Sequence, residues 1–177
     1  MTHNHDSFEL GRRAEELFVS LAQREGWTVA PAPKEANIHE HWDFEIVKEG
    51  YKRKVEVKAL KRQSRGDDSL DQTWVWIEFR NVRGEAGWLF GKSNWIAFET
   101  ESSFVIVDRH DLYQLVRRVV DRETMVRSAK EAKYKTYTRA GQPDQIAQVQ
   151  LSDIQMIKKM EWSKETAINN GSGNEVG

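Results

Sequence analysis

Residues 42–61, WDFEIVKEGYKRKVEVKALK, alternate apolar and charged side chains on both sides of a short turn centred on Gly50. A period of two predicts two adjacent β-strands joined as a hairpin. One face of the hairpin is apolar and is formed by Trp42, Phe44, Ile46, Val55, Val57 and Ala59. The opposite face carries Asp43, Glu45, Glu56 and Lys58. The stretch therefore predicts acids and an amine side by side on one face of a sheet.

The polar face of this hairpin has the ligands that a hard divalent cation prefers. Mg²⁺ takes oxygen ligands and usually only one or two carboxylates, and waters and phosphate oxygens complete its coordination. We expect Asp43 and Glu56 to supply the carboxylates and the carbonyl group of Val57 a further oxygen. Lys58 would orient or deprotonate a water, or neutralise charge on a phosphate group. The alternative is a solvated ion pair between Glu56 and Lys58, because Glu-x-Lys is a common spacing.

An N-terminal helix precedes the hairpin and is predicted to run from Ser7 or Asp6 to about Glu25, after a frayed start. Its apolar stripe consists of Leu10, Ala14, Leu17 and Leu21, with Phe18 and Ala22 along the edge. Helical periodicity places Glu15 at the margin of this stripe and Glu16 on the solvent face. We therefore expect Glu15 to be a third acid of the site. The alternative is a salt bridge within the helix, between Glu15 and Arg12.

Composition limits the class of protein. A length of 177 residues and a net charge of −1 indicate one domain, predicted over residues 1–162, followed by a disordered tail over 163–177. The absence of cysteine excludes a disulfide framework, a zinc finger and a thiol nucleophile. No signal peptide or apolar run of membrane length is visible, so we expect a cytoplasmic protein without a membrane partner.

Basic residues crowd the second strand and its exit, although the whole chain is nearly neutral. Such a cluster attracts a phosphate backbone, and binding through it would depend on salt. The alternative is an ordinary solvated rim. A flexible loop is predicted at residues 66–69. The candidate nucleic-acid-binding residues are Lys52, Arg53, Lys54, Lys61, Arg62, Arg65 and, near a later hairpin turn, Arg139.

The rest of the chain predicts further strands and helices around a central mixed sheet. A loop is predicted over residues 31–40, strands at 73–82, 88–90, 95–98 and 104–107, and helices at 108–120 and 122–133. A C-terminal hairpin over 134–151 and a short helix over 153–160 follow. Trp74 and Trp76 are expected to lie under a covering helix, and base stacking is the alternative. Glu78, on the same strand, is a further candidate acid near the site.

The motifs Gly11-Arg12-Arg13-Ala14-Glu15, Gly26-Trp27, Asp43 and Glu56-Val57-Lys58 resemble those of the PD-(D/E)XK nuclease superfamily. This group includes restriction endonucleases, Holliday-junction resolvases and phage nucleases. The resemblance covers residues 7–62. One departure is that Trp42 stands where a proline often precedes the acid.

The resemblance implies an α/β fold with a restriction-endonuclease-like core, a mixed β-sheet flanked by helices. It implies that Glu15, Asp43 and Glu56 bind metal, that Lys58 is the catalytic lysine, and that the chain is a Mg²⁺-dependent deoxyribonuclease in which Mn²⁺ substitutes. DNA is the expected partner, and a homodimer follows from the need to cut two strands. The alternatives are an inactive nuclease-fold module that binds DNA, and a protein-interaction domain.

Overall fold

A computed structural model describes residues 3–61 and 73–165, with side chains from Ser7 onward. Within these ranges the chain forms four α-helices, ten strands and two 3₁₀ helices. The α-helices are α1 (His3–Arg24), α2 (Lys34–Glu40), α3 (Arg109–Val119) and α4 (Leu151–Met156). The strands are β1 (Thr28–Pro31), β2 (Phe44–Lys48), β3 (Tyr51–Lys58), β4 (Trp74–Arg80), β5 (Trp95–Glu99), β6 (Ser103–Asp108), β7 (Asp121–Val126), β8 (Lys135–Tyr137), β9 (Gln145–Gln150) and β10 (Lys158–Ser163). The 3₁₀ helices are Trp88–Phe90 and Ala129–Glu131.

The strands form two mixed sheets, whereas the sequence predicted one central sheet. The first sheet has the order β1-β2-β3-β5-β6-β10, in which only β3 and β5 are parallel. The second has the order β4-β9-β8-β7, in which β7 and β8 are parallel. The α/β class is confirmed.

The first sheet separates two apolar clusters. On one face α1 packs through Ala14, Phe18, Leu21 and Ala22, and the sheet meets it with residues that include Ile46, Val55, Val57, Ala97 and Trp162. On the other face lie α3, α4 and the inner face of the second sheet, with Ile77, Ile96, Phe98, Leu112, Val116, Val149 and Ile154 among the buried residues. Because neighbouring residues of a strand point to opposite faces, β5 and β6 contribute to both clusters.

Helix α1 ends where the sequence predicted, but it begins earlier than predicted. The helix begins at His3, ahead of the predicted cap, and is followed by Gly26, whose φ of +86° is the left-handed conformation that glycine adopts easily. None of the helices in the described ranges is long and apolar enough to cross a membrane.

One predicted loop contains a helix, and one predicted strand is a 3₁₀ helix. The loop predicted over residues 31–40 contains α2, which Pro33 precedes as the N-cap residue. The strand predicted at Trp88–Phe90 is a 3₁₀ helix between Gly87 and Gly91. The helix α2 has only seven residues, and the three consecutive apolar residues at 88–90 carry no period that distinguishes a strand from a helical turn.

Two predicted helices are wrong over part or all of their length. Residues 122–126 belong to β7, because pairing with β8 outweighs the local helical preference of this charged segment, and Ala129–Glu131 is only a 3₁₀ turn. The helix predicted over 153–160 occupies Leu151–Met156, and β10 follows. Strand β10 pairs with β6 and packs Trp162 and Met160 against the α1 side of the sheet. The predicted tail begins inside β10 at Ser163, and residues 166–177 lie outside the described part of the chain.

Trp74 and Trp76 of β4 are half-buried, so the expectation of full burial beneath a helix is wrong. Their rings contact tyrosines of the same sheet, with centroids 5.4 Å apart for Trp74 and Tyr134 and 6.1 Å apart for Trp76 and Tyr137. The residues that alternate with the tryptophans, Ile77 and Phe79, are the buried ones. The second sheet therefore has a buried inner face and a partly exposed, aromatic outer face.

Candidate active site

The β2–β3 hairpin sets the positions of the acids and the amine. Its two-residue turn has positive φ at both positions, 51° at Glu49 and 79° at Gly50, as a type I′ turn requires. The turn fixes the register, so that the Asp43 N–H donates to the carbonyl of Val55 at 2.8 Å. Glu56 and Lys58 then lie on the face opposite α1, beside Ile96 and Phe98 of β5. The predicted alternation is confirmed within β2 and β3, whereas Trp42 precedes β2 and contacts Lys54 instead of joining the cluster under α1.

Asp43 is held by two hydrogen bonds. Its Oδ2 accepts from the backbone N–H of Val57 at 2.7 Å, and its Oδ1 accepts from Nδ2 of Asn37 at 2.7 Å. Burial, and then the negative charge of Glu56, raise the pKa of Asp43 to about 7, although the Val57 N–H and Lys58 act in the opposite direction. Asp43 thus keeps its proton to a much higher pH than an exposed aspartate.

Glu56 and Lys58 form a close ion pair. Glu56 is buried, with 7% of its surface exposed, and the Lys58 side chain is 27% exposed. Burial lowers the pKa of the Lys58 amine, but the carboxylates of Glu56 and Asp43 outweigh burial, and the pKa lies above its ordinary value. Lys58 therefore carries a positive charge at neutral pH. This charge state suits stabilisation of an anion and makes deprotonation of a water by Lys58 unfavourable.

Glu15 belongs to the same electrostatic cluster. Burial and the charge of Glu56 raise its pKa, and Lys58 partly offsets them. The carboxylate is half-buried on α1, and Glu16 beside it is exposed, as helical periodicity predicted. The alternative role of Glu15 is not found, because Arg12 pairs with Glu9 and Glu16. We call Glu15, Asp43, Glu56 and Lys58 the acid cluster; it contains three carboxyl groups and one amine.

The acid cluster fits a cation that needs few protein ligands. Within the described ranges, no three carboxylate or histidine side chains form a preassembled metal cage. Mg²⁺ does not require one, since one or two carboxylates with waters and substrate oxygens are enough. The oxygens of Asp43 and Glu56 are the right donors. Burial and then the charge of Glu56 raise the pKa of Asp43, and a bound cation would offset that repulsion. The role of the Val57 carbonyl stays a prediction, while its N–H holds Asp43.

Trp88 and Glu78 form one wall of the site. The Nζ of Lys58 lies 5.1 Å from the centre of a Trp88 ring, and the backbone N–H of Trp88 donates to Oε1 of Glu78 at 3.3 Å. The charge of Glu78 also acts on Lys58 and Lys61. Sequence reasoning missed Trp88 and Asn37 as neighbours of the cluster, and no local pattern identifies them, because both come from short helices distant in sequence from Glu56.

The candidate nucleic-acid-binding residues fall into two groups. Lys61, which is exposed, lies within electrostatic reach of Lys58 and Arg139. Arg139 is held by Asp144, whose Oδ2 accepts from its Nε at 3.0 Å and from an Nη at 2.7 Å. Lys61, three residues from Lys58, therefore also lies close enough to Arg139, far away in sequence, for their charges to interact.

The other described candidates lie toward the opposite end of β3 and have partners of their own. The contacts are Lys52 with Glu45, Arg53 with Tyr51, and Lys54 with Glu40 and Trp42. Residues 52 and 58 are about 20 Å apart along a strand. Arg62, Arg65 and the loop predicted at 66–69 lie outside the described residues.

Comparison with known proteins found no family model, no curated protein and no solved structure that matches the chain.

Proposed function

We propose that this protein hydrolyses phosphodiester bonds of DNA with the help of a divalent cation, Mg²⁺, for which Mn²⁺ can substitute. The observation that supports the proposal most strongly is the acid cluster. Its three carboxyl groups come from α1, from β3 and from the segment that precedes β2, and they interact electrostatically with one another and with a single amine. With all groups ionised the cluster carries two negative charges in excess. A divalent cation would balance that excess.

The residues of the acid cluster have different roles in the proposed reaction. Asp43 and Glu56 bind the cation, and Glu15 adds negative charge from α1. Lys58 remains protonated and stabilises the negative charge that builds up on the phosphate during bond cleavage. When bound, the cation supplies a Lewis acid for the phosphate and an activated water at neutral pH. Asn37 and the Val57 N–H orient Asp43.

The arrangement of elements is consistent with a restriction-endonuclease-like core, which we propose for residues 3–61 and 95–119. A hairpin carries the acids into a mixed sheet, α1 with Glu15 covers one face, and α3 covers the other. Lys61 and Arg139 beside the cluster supply positive charge for the DNA backbone. We propose a homodimer as the form that cuts both strands of a duplex.

A second candidate is a DNA-binding module that does not cut. Two observations favour it. Lys58 forms a close ion pair with Glu56, one of the proposed metal ligands, and the described residues contain no group of three side chains placed to hold a metal ion. The two candidates differ in a simple experiment. The non-cutting module binds DNA equally well with Mg²⁺ or a chelator and leaves it intact.

The test is incubation of the protein with supercoiled, linear, single-stranded and four-way-junction DNA in Mg²⁺, Mn²⁺ or EDTA. We expect cleavage of at least one form in either metal and none in EDTA. The matched control is Glu45→Gln, because Glu45 lies on the same hairpin and pairs with Lys52 instead of Lys58. It should cut like the wild type, whereas Asp43→Asn should not. Cleavage by Asp43→Asn at the wild-type rate would refute the proposal.

A further inference from the structure

The outer face of the second sheet has an unusual composition for a solvent-facing surface. On β4 and β9 the inward residues Ile77, Ala147 and Val149 are buried, whereas the residues between them that point outward are partly exposed. These outward residues are Trp76, Glu78, Ile146 and Gln148, joined by Tyr137 of β8 through its pairing with Ile146. We call this set the outer face. It combines two aromatic rings and an isoleucine with one amide and one carboxylate group.

The outer face continues into the acid cluster. Glu78 lies two residues from Trp76 on β4, which is about 6.6 Å along a strand. Its Oε1 accepts from the backbone N–H of Trp88 at 3.3 Å, and the Trp88 ring centre lies 5.1 Å from the Nζ of Lys58. On β8, Tyr137 lies two residues before Arg139, which is within electrostatic reach of Lys61. The same two strands therefore lead from the aromatic rings to the amine of the site.

The cations along this path match a nucleic-acid backbone. Arg139 is 46% exposed in its side chain, and the buried carboxylate of Asp144 holds its guanidinium group in place. Lys133 pairs with Gln148 through a β-bridge, and its amine lies 4.9 Å from the centre of a Trp74 ring. Asp144 is buried, with 3% of its surface exposed, and its carboxylate faces Arg139 and not the solvent. Positive charge thus flanks the aromatic rings at both ends.

We propose that the outer face binds unpaired bases of the DNA strand whose backbone enters the acid cluster, with bases stacking on Trp76 and Tyr137 and phosphates contacting Lys61 and Arg139. Stacking on aromatic side chains beside a basic path is how single-stranded nucleic acid is held without sequence preference. The inference rests on the proposed nuclease function. It identifies the preferred substrate as single-stranded DNA, or a branched or frayed duplex, and not an intact duplex.

Binding is measured in EDTA, so that no cleavage is needed. The probe is a fluorescent oligothymidylate, alone or annealed to oligoadenylate, and anisotropy gives the affinity for each. We expect the wild type to prefer the single strand. Trp76→Leu and Tyr137→Leu should each weaken single-strand binding about tenfold, within the range that loss of a base-stacking aromatic gives, and should change duplex binding far less. Trp76→Phe, which keeps an aromatic face, should retain most of the affinity.

The matched control is Tyr113→Leu, since Tyr113 is a partly buried tyrosine on α3 that contacts Phe90 and His110 away from the outer face. Thermal unfolding of each variant checks folding, and the exposed side of Tyr137 keeps the test valid if Trp76→Leu is unstable. Unchanged single-strand affinity in folded Trp76→Leu or Tyr137→Leu overturns the inference and makes the outer face a cross-strand aromatic pair or a protein contact.

The two proposals fail separately. A wild type that cuts duplex DNA in Mg²⁺ but shows no preference for the single strand refutes the stacking inference alone. A wild type that prefers the single strand through Trp76 yet cuts nothing in Mg²⁺ or Mn²⁺ refutes the hydrolase and leaves the outer face as a single-strand binding site.

Discussion

Asp43→Asn is expected to stabilise the fold at pH 8 while it abolishes hydrolysis. The pKa of Asp43 is raised from 3.8 to about 7, mainly by burial. Between these two values the native state keeps a proton that the unfolded state has released, so raising the pH favours unfolding. The cost appears as the pH rises from about 4 to 7 and is constant above that. Asparagine has no such cost at any pH.

The size of the effect follows from the shift and from the hydrogen bonds. A change of about three pKa units corresponds to about 4 kcal/mol at pH 8. The asparagine side chain of the variant retains an oxygen for the Val57 N–H, and rotation of the Asn37 amide restores the second bond in the reverse direction. Neutral bonds in place of charge-assisted ones cost about 1–2 kcal/mol. The net gain is about 2–3 kcal/mol, or about 5–10 °C in Tm for a chain of this size.

The assay is thermal unfolding of wild type and Asp43→Asn from pH 4 to 8.5 in EDTA. The difference in Tm should be near zero or slightly negative at pH 4 and grow to its full value by about pH 8. Added Mg²⁺ should raise the Tm of the wild type and not that of the variant, because a ligand stabilises only the state that binds it. The electrostatic account of the cluster would be refuted if Asp43→Asn had no higher Tm than the wild type at pH 8. It would also be refuted if the difference in Tm were as large at pH 4 as at pH 8.

Three further predictions rest on the same geometry. The cleavage rate should rise with pH through about 7, because Asp43 must lose its proton to bind a cation, and a rate flat from pH 5 to 9 argues against Asp43 as a ligand. Lys61→Gln and Arg139→Gln should each weaken DNA binding at low salt and reduce the salt slope by about 1, measured by titration at two ionic strengths. Gly87→Ala should destabilise by about 1–3 kcal/mol in urea unfolding, because its Cβ would overlap the backbone carbonyl group of Glu78.

The part of the fold that local periodicity encodes could be predicted from the sequence. The β2–β3 hairpin alternates over its whole length, and its Gly50 turn fixes the register, so the faces of Asp43 and Glu56 followed directly. The separation of Glu15 from Glu16 needed only the helical repeat of α1. In these segments the local pattern and the final packing agree.

The part that depends on distant pairing could not be predicted. Strand β7 lies in a charged segment with no alternation, and only its neighbour β8 makes it a strand. Strand β10 does show Met160 and Trp162 at a spacing of two, a signal that the predicted helix obscured. The split into two sheets likewise depends on β4 pairing with β9, about seventy residues later, a separation that no local pattern spans.

The site shows the same division. Its acids and amine lie in periodic segments and were named from them, whereas the groups that hold and surround them come from elsewhere. Asn37 reaches Asp43 from α2, Trp88 reaches Lys58 from a 3₁₀ helix, and Asp144 fixes Arg139 across a hairpin turn. Such supporting contacts depend on side-chain placement in three dimensions.

The most direct measurement is the single-turnover cleavage rate of a labelled oligonucleotide in saturating Mg²⁺ by wild type, Glu56→Gln and Glu45→Gln. The glutamine side chain of Glu56→Gln can still accept a hydrogen bond from Lys58, so the packing of β3 is retained while one anionic ligand is lost. We expect Glu56→Gln to cut at least about 100-fold more slowly, and Glu45→Gln to cut at the wild-type rate. Equal rates for wild type and Glu56→Gln, in a protein that does cut, would contradict the assignment of the acid cluster as the catalytic site.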